Sequence, residues 1–280
     1  MTAPVCAPNP DTAPAFAAAP ITLGIWQASG AAGDIAGNLA DIAKAARTAR
    51  NSGVDLLVFP ECFLTGYLTK APVPPIAAQV TQDVRDALIG ISAATGVALV
   101  VGSYEADGAA IYNSAFFVTP FDGLVACYRK RALFDLWESA QFTPGTQPVV
   151  VTYLGLRIGI AICFDVEFPE IIRQTAASGI DLLVVPTALS TPFEAIPQLM
   201  VPTRAIENHI FIGYANRVGT DHLNRYAGES VIVGPSGAVL AHAPDQHTGL
   251  IAARIDPSEC AALRKVFDYY TTLKALGMSD

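Results

Sequence analysis

The sequence predicts an α/β protein: one large domain with two sheets lying between helical layers. Three observations predict it. Short, wholly apolar runs of strand length alternate with longer stretches whose apolar residues recur at helical spacing. The phrase Gly-Val-Asp-Leu-Leu-Val-Phe-Pro (53–60) returns as Gly-Ile-Asp-Leu-Leu-Val-Val-Pro (179–186), a sign of internal pseudo-symmetry. The 280 residues are 52% hydrophobic and 15% charged, ample for one buried core, and no change of composition marks a second domain.

The elements follow in order. Residues 21–27, ITLGIWQ, form the first expected strand. Residues 34–52 place Ile35, Leu39, Ile42, Ala46 and Ala49 on one helical face, and Gly53 is placed to end that helix. DLLVFPE (55–61) is a strand buried on both faces and closed by a carboxylate. A helix over 81–95 and a strand over 98–106 come next. AIYNSAFFVTP, the turn FDG and LVACYRK then make a hairpin. Residues 131–148 read as a loop. LRIGIAICFD (156–165) is a further strand, and FPEIIRQTAASG opens a helix with Pro169 in its first turn. DLLVVPTA (181–188), the helix PQLMVPTRAIENH, the strand FIGYANRVG and a hairpin around Pro-Ser-Gly complete the second half. GLIAARID and a docked aromatic tail end the chain.

Composition excludes several roles. The formal net charge of -8 offers no footprint for nucleic acid or for an anionic membrane. No apolar run is long enough to cross a bilayer, so no membrane association is expected. The five cysteines (6, 62, 127, 163, 260) are irregularly spaced, form no CxxC pair and stand apart from the four histidines. That pattern argues against a disulfide framework or a metal site and favours reduced thiols in a cytoplasm. Residues 1–20, rich in Ala and Pro and without Lys or Arg, read as a flexible tail before a domain over 21–280.

Three strand ends carry chemistry: Glu61 after DLLVFP, Lys130 after LVACYR and Cys163 after RIGIAI. Catalytic groups gather at the carboxyl ends of strands in open α/β sheets. Each residue has a plainer reading alone: a solvated loop glutamate, one member of an Arg-Lys-Arg run, a small buried thiol. Together they supply a base, a cation and a nucleophile.

PECFLTGY (60–67), YRKRALFD (128–135) and CFDVEFPE (163–170) resemble, in order, the three signatures of the nitrilase superfamily. The resemblance runs from about residue 21 to at least residue 256 and takes in AIYNS, VPTA and RAIEN. It implies a four-layer αββα sandwich and a homodimer, or a larger homo-oligomer, built across the helices that start near Pro169 and Pro197. It also implies catalysis by Glu61, Lys130 and Cys163, without metal or organic cofactor. Glu138 is the candidate for the family's second acidic residue, orienting Lys130 or holding the substrate –NH2. The backbone N–H of Phe164 is the candidate second oxyanion donor. Two positions depart from the family pattern: Ala132 stands where many members have His, and Phe164 where Tyr is usual.

The implied reaction is hydrolysis of a small amide. A free thiol is mostly protonated near neutrality and needs a base or cation beside it. Glu61 would take the thiol proton and Lys130 would stabilise the tetrahedral oxyanion. CFDVEFPE, TALSTPFEAIPQ and YAGESVIVGPSG look most similar to bacterial aliphatic amidases, including those for ω-amino amides and stereoselective ones. Glu194 is then a candidate anchor for a substrate ammonium. Nitriles and N-carbamoyl amines remain alternative substrates for the same triad, with Arg204 as a carboxylate-gripping candidate. A glutaminase serving a partner synthetase, or a non-catalytic scaffold on this fold, remains as a further alternative.

Overall fold

The computed structural model describes residues 19–67 and 72–278. The tail expected over 1–20 therefore lies, apart from Ala19 and Pro20, outside the described residues. The first half runs β1 (Ile21–Gln27), α1 (Ile35–Asn51), β2 (Leu56–Val58), α2 (Val73–Ala77), α3 (Gln82–Thr95), β3 (Ala98–Asp107), β4 (Ala110–Thr119) and β5 (Gly123–Arg129). After α4 (Leu136–Gln141) the second half runs β6 (Val150–Tyr153), β7 (Leu156–Ile160), α5 (Pro169–Ala177), β8 (Leu182–Thr187), α6 (Val201–Asn208), β9 (Phe211–Asn216), β10 (Ser230–Val233) and β11 (Val239–Ala243). Strand β12 (Gly249–Ile255) and helices α7 (Pro257–Val266) and α8 (Tyr269–Ala275) follow.

The strands form two six-stranded sheets, β12-β1-β2-β3-β4-β5 and β11-β10-β9-β8-β7-β6. Each has three parallel strands (β1-β2-β3 and β7-β8-β9), an antiparallel hairpin on one side and one antiparallel strand on the other. The sequence echo is the trace of this repeat. Asp55 accepts a hydrogen bond from the Thr22 N–H at 2.8 Å, and its equivalent Asp181 accepts one from the Arg157 N–H at 3.1 Å. Each aspartate ties the start of one parallel strand to the next, which is why the echo keeps Asp at that place.

Side chains alternate between the two faces of each strand. Leu56, Val58, Leu182 and Val184 face inward and join the core between the sheets. Leu57 and Phe59 face outward, in the cluster shared with α1. Leu183 and Val185 pack likewise in the cluster shared with α5 and α6. The result is helix, sheet, sheet, helix. Fully burying a side chain of this kind contributes about 1.5–3 kcal/mol, so the inter-sheet layer and the two sheet–helix layers each stabilise the fold.

The structure departs from the sequence reading at element ends. The strand expected over 55–61 stops at Val58, and Glu61 stands in the following turn. The strand expected over 156–165 stops at Ile160, and residues Cys163–Glu167 turn as a 3₁₀ helix. Residues 131–148 are not all loop: Asp135 caps α4 by accepting from the Glu138 N–H at 2.8 Å. Six residues are too few to show a helical period in the sequence.

Candidate active site

The site is built where the carboxyl ends of β2, β5, β7 and β8 converge. The Glu61 N–H donates to the Thr187 carbonyl at 3.3 Å, joining the two repeat-related strand ends across the sheets. Gly102 in β3 makes room for the Glu61 turn: a Cβ there would stand 2.5 Å from the Cys62 nitrogen and 2.8 Å from the Glu61 Cα. Asn38 of α1 fastens the same turn by donating to the Leu64 carbonyl at 2.9 Å.

Glu61, Lys130 and Glu138 come together in one buried cluster. Lys130 Nζ donates to Glu61 Oε1 and to Glu138 Oε1, each at 2.9 Å. Lys130 and Glu61 are each 1% exposed and Glu138 is 0% exposed, so these charges are almost wholly desolvated. Glu138 also accepts from the Tyr67 hydroxyl at 2.8 Å and the Phe134 N–H at 2.7 Å. Glu61 Oε1 accepts from Asn113 Nδ2 at 2.7 Å, whereas Glu61 Oε2 is buried and has no hydrogen-bond partner among the described residues. Burial raises the Glu61 pKa, and the nearby Lys130 only partly opposes this. Burial alone would lower the Lys130 pKa, but the two carboxylates overcome it and hold the ammonium charged.

Cys163 is the partly open member of the described cysteines; Cys62, Cys127 and Cys260 are buried. Its φ of +47° lies in the left-handed region, which a side chain adopts only under constraint. The constraint is visible. Asp165 accepts from the Ile162 N–H (2.9 Å), the Ala132 N–H (2.7 Å) and the Tyr128 hydroxyl (2.8 Å), pinning the nucleophile turn to the loop after Lys130. Arg204 donates to the carbonyls of Val166 (3.0 Å) and Glu167 (2.8 Å) at the far end of the turn. The Ala188 backbone N–H favours the Cys163 thiolate. Burial and Glu61 push the thiol pKa well up, against Lys130 and that N–H.

The remaining candidates fall in different places. Phe164 follows Cys163 in the 3₁₀ turn, its ring edge-on to Phe134 and Phe168 at centroid distances of 5.3 and 4.9 Å. Glu194 is half-buried in the turn before α6, and its carboxylate makes no hydrogen bond or ion pair with a described residue. Arg204 is engaged with backbone, as described. Cys62 is buried, with Sγ 3.5 Å from Asn113 Oδ1. It sits in the turn after β2 at φ +51°. Among the described residues no group of three or more His, Cys, Asp or Glu could hold a metal ion.

Sequence reasoning missed Asn113, Tyr67 and Ala188 as members of this cluster. All three lay inside quoted motifs, AIYNS, PECFLTGY and VPTA, but were read as strand or turn. Their contacts cross 25 to 71 residues of chain and have no local signal.

Comparison with known proteins gives consistent findings. A family model described as Carbon-nitrogen hydrolase matches residues 22–265. An (R)-stereoselective amidase from a Pseudomonas species is 33% identical over 244 residues, covering 87% of this chain and 88% of that protein. A nitrilase from Pyrococcus abyssi is 36% identical over 223 residues, 78% of this chain and 83% of that one. Among solved structures, a variant of the amidase from Nesterenkonia sp. AN1 is 33% identical and superposes with a TM-score of 0.77, over 83% of this chain and 92% of that one. That structure shows acrylamide added at the active-site cysteine.

Proposed function

The chain belongs to the carbon–nitrogen hydrolase family, and from that premise we propose that it hydrolyses a small aliphatic amide to a carboxylate and ammonia through a thioester on Cys163. The observation that carries this reading is the division of labour between the two Glu61 oxygens. Oε1 is held by Lys130 and Asn113, and Oε2 is buried and unpartnered among the described residues. A buried carboxylate oxygen without a donor is costly to leave so, and it is the arrangement a general base requires.

The steps follow from charge. Cys163 rests as a thiol, since its pKa is raised. Its proton passes to Glu61 Oε2 as the sulfur attacks the amide carbon. Lys130 and the Phe164 N–H stabilise the oxyanion. The intermediate collapses by breaking the C–N bond, and Glu61 gives its proton to the departing nitrogen, which leaves as ammonia. Glu61 then takes a proton from water, the hydroxide adds to the thioester, and the C–S bond breaks. The proton returns to sulfur as the acid leaves. Glu138 and Tyr67 hold Lys130 in place throughout. No metal or organic cofactor enters these steps.

The test is ammonia release from short aliphatic amides, ω-amino amides, the matching nitriles and N-carbamoyl amines. Amides are expected to turn over. A preference for nitriles or carbamoyl compounds would keep the cysteine chemistry and move the substrate class. Absence of turnover on all of them, with Cys163 no more reactive to an amide-like electrophile than the other thiols, would overturn the reading.

Within this class we favour amides that can carry an ω-amino group. The support is the Glu194 carboxylate, unpaired among the described residues, since a desolvated ammonium needs an anionic partner. Glu194→Gln is expected to lower kcat/KM for an ω-amino amide about tenfold relative to the plain amide of equal length. An unchanged ratio would remove Glu194 from the site. A homodimer across α5 and α6 is proposed on the family resemblance and on the exposed apolar side chains Leu199 and Ile206. A cytoplasmic location is proposed from the cysteine pattern; among the described residues no helix is long and apolar enough to cross a membrane.

A further inference from the structure

We infer that Asn113 is a positioning residue that locks the carboxylate of Glu61, so that one oxygen is held and the other stays free to move protons. The inference rests on the amidase reading above and deepens it. Asn113 is 1% exposed in β4, and every polar atom it offers to the site is engaged. Its Nδ2 donates to Glu61 Oε1 at 2.7 Å, and its Oδ1 stands 3.5 Å from the Cys62 thiol as acceptor. Its carbonyl accepts from the Lys130 N–H at 2.8 Å. One residue therefore sets the position of the base through its side chain and of the cation through its main chain.

The orientation of the amide follows from chemistry. A carboxylate only accepts, so the –NH2 must face Glu61. Flipped, the amide would set two oxygens against each other and deny the Cys62 thiol its acceptor. Cys62 is thus the third member of a chain, thiol to amide to carboxylate, and this gives the cysteine beside Glu61 a use without nucleophilic chemistry.

Glu61 lies in the field of several other groups: Lys130 after β5, Glu138 in α4, Cys163 after β7, Tyr214 in β9, and Cys62 and Tyr67 on its own turn. Among them the Asn113 donor favours the ionised carboxylate. The sign is then fixed. The ionised base is present above the Glu61 pKa, and activity is lost as pH falls through it. Removing the donor raises that pKa and moves the acid limb of the rate profile upward.

The experiment compares kcat/KM against pH for the wild type, Asn113→Ala and Asn113→Asp on the best amide of the panel. The rate of Cys163 alkylation by iodoacetamide against pH and the thermal melting curve are recorded beside it. Asn113→Ala is expected to lower kcat about ten- to a hundredfold and to raise the acid limb by about one pH unit, the size of one hydrogen bond to a charged group. Asn113→Asp, which sets a second carboxyl against Glu61, should raise the limb further. A fall in rate with the limb unmoved would reduce Asn113 to a structural strut and overturn the proposal, as would full activity in either variant. If a variant melts early, the alkylation profile of its folded fraction gives the same comparison. Failure of the wild type to turn over any amide would instead overturn the functional reading.

Discussion

Replacing Cys163 by alanine is expected to lower ammonia release by about 10⁴-fold or more while leaving the protein folded, as is usual when a nucleophile is removed. Both halves of that expectation come from the turn that carries it. The positive φ is imposed by Asp165 and Arg204, which fasten the residues around Cys163 and do not touch its sulfur. Alanine meets the same left-handed penalty as cysteine, so the backbone gains no new strain. The change removes one sulfur atom from a residue that is only partly buried, and so leaves at most a small gap. Initial rates and a thermal melt measured on the same preparation check both halves. Cys163→Ser is expected to be nearly as inactive, because a hydroxyl is a far weaker acid than a thiol and Lys130 is already shared between two carboxylates. Retention of more than about a hundredth of the activity in Cys163→Ala would point to another nucleophile. Cys62, beside Glu61, would be examined next, although its thiol is fully buried and its pKa is pushed well up by that burial.

Lys130→Met is expected to remove activity and to destabilise the fold by about 3–5 kcal/mol near neutral pH, the range for breaking a buried ion pair. The cluster holds two carboxylates on one ammonium, and all three groups are almost fully out of water. Without Lys130, Glu61 and Glu138 face each other with no cation, and the Glu61 pKa, already raised by burial, rises further. A carboxyl whose folded pKa exceeds its unfolded value adds stability at low pH and loses it as pH rises through the folded pKa. The deficit of the variant should therefore shrink between pH 7 and pH 5, which denaturant midpoints at the two values would show. Adding Glu138→Gln should return much of the stability at pH 7 and none of the activity. Lys130→Arg is expected to lose most activity as well, since a planar guanidinium is larger and cannot reproduce a compact ammonium held between two Oε1 atoms in a closed site. Unchanged stability of Lys130→Met at pH 7 would mean that the carboxylates are not held as anions by this lysine.

Much of this protein was legible in the chain. Alternating apolar runs and helical periods predicted two sheets between helices, because burial on two faces leaves a pattern in every strand. The echo of residues 53–60 in 179–186 announced the repeat that Asp55 and Asp181 now explain. The order of Glu61, Lys130 and Cys163 within their motifs marked the candidate site. What the chain could not disclose is which atoms meet. Strand ends moved by up to five residues, because the turns that carry Glu61 and Cys163 begin inside the apolar runs.

The sequence by itself determined the class of fold, the repeat and the kinds of chemical group available, since these depend on composition and on spacing along the chain. Only the tertiary structure decided that Asn113 and Lys130 share one oxygen of Glu61, that Tyr67 braces Glu138, and that Arg204 donates to the Val166 and Glu167 carbonyls. Those contacts are hydrogen bonds between residues far apart in the chain. Their geometry is set by how two sheets pack, and local sequence carries no record of it.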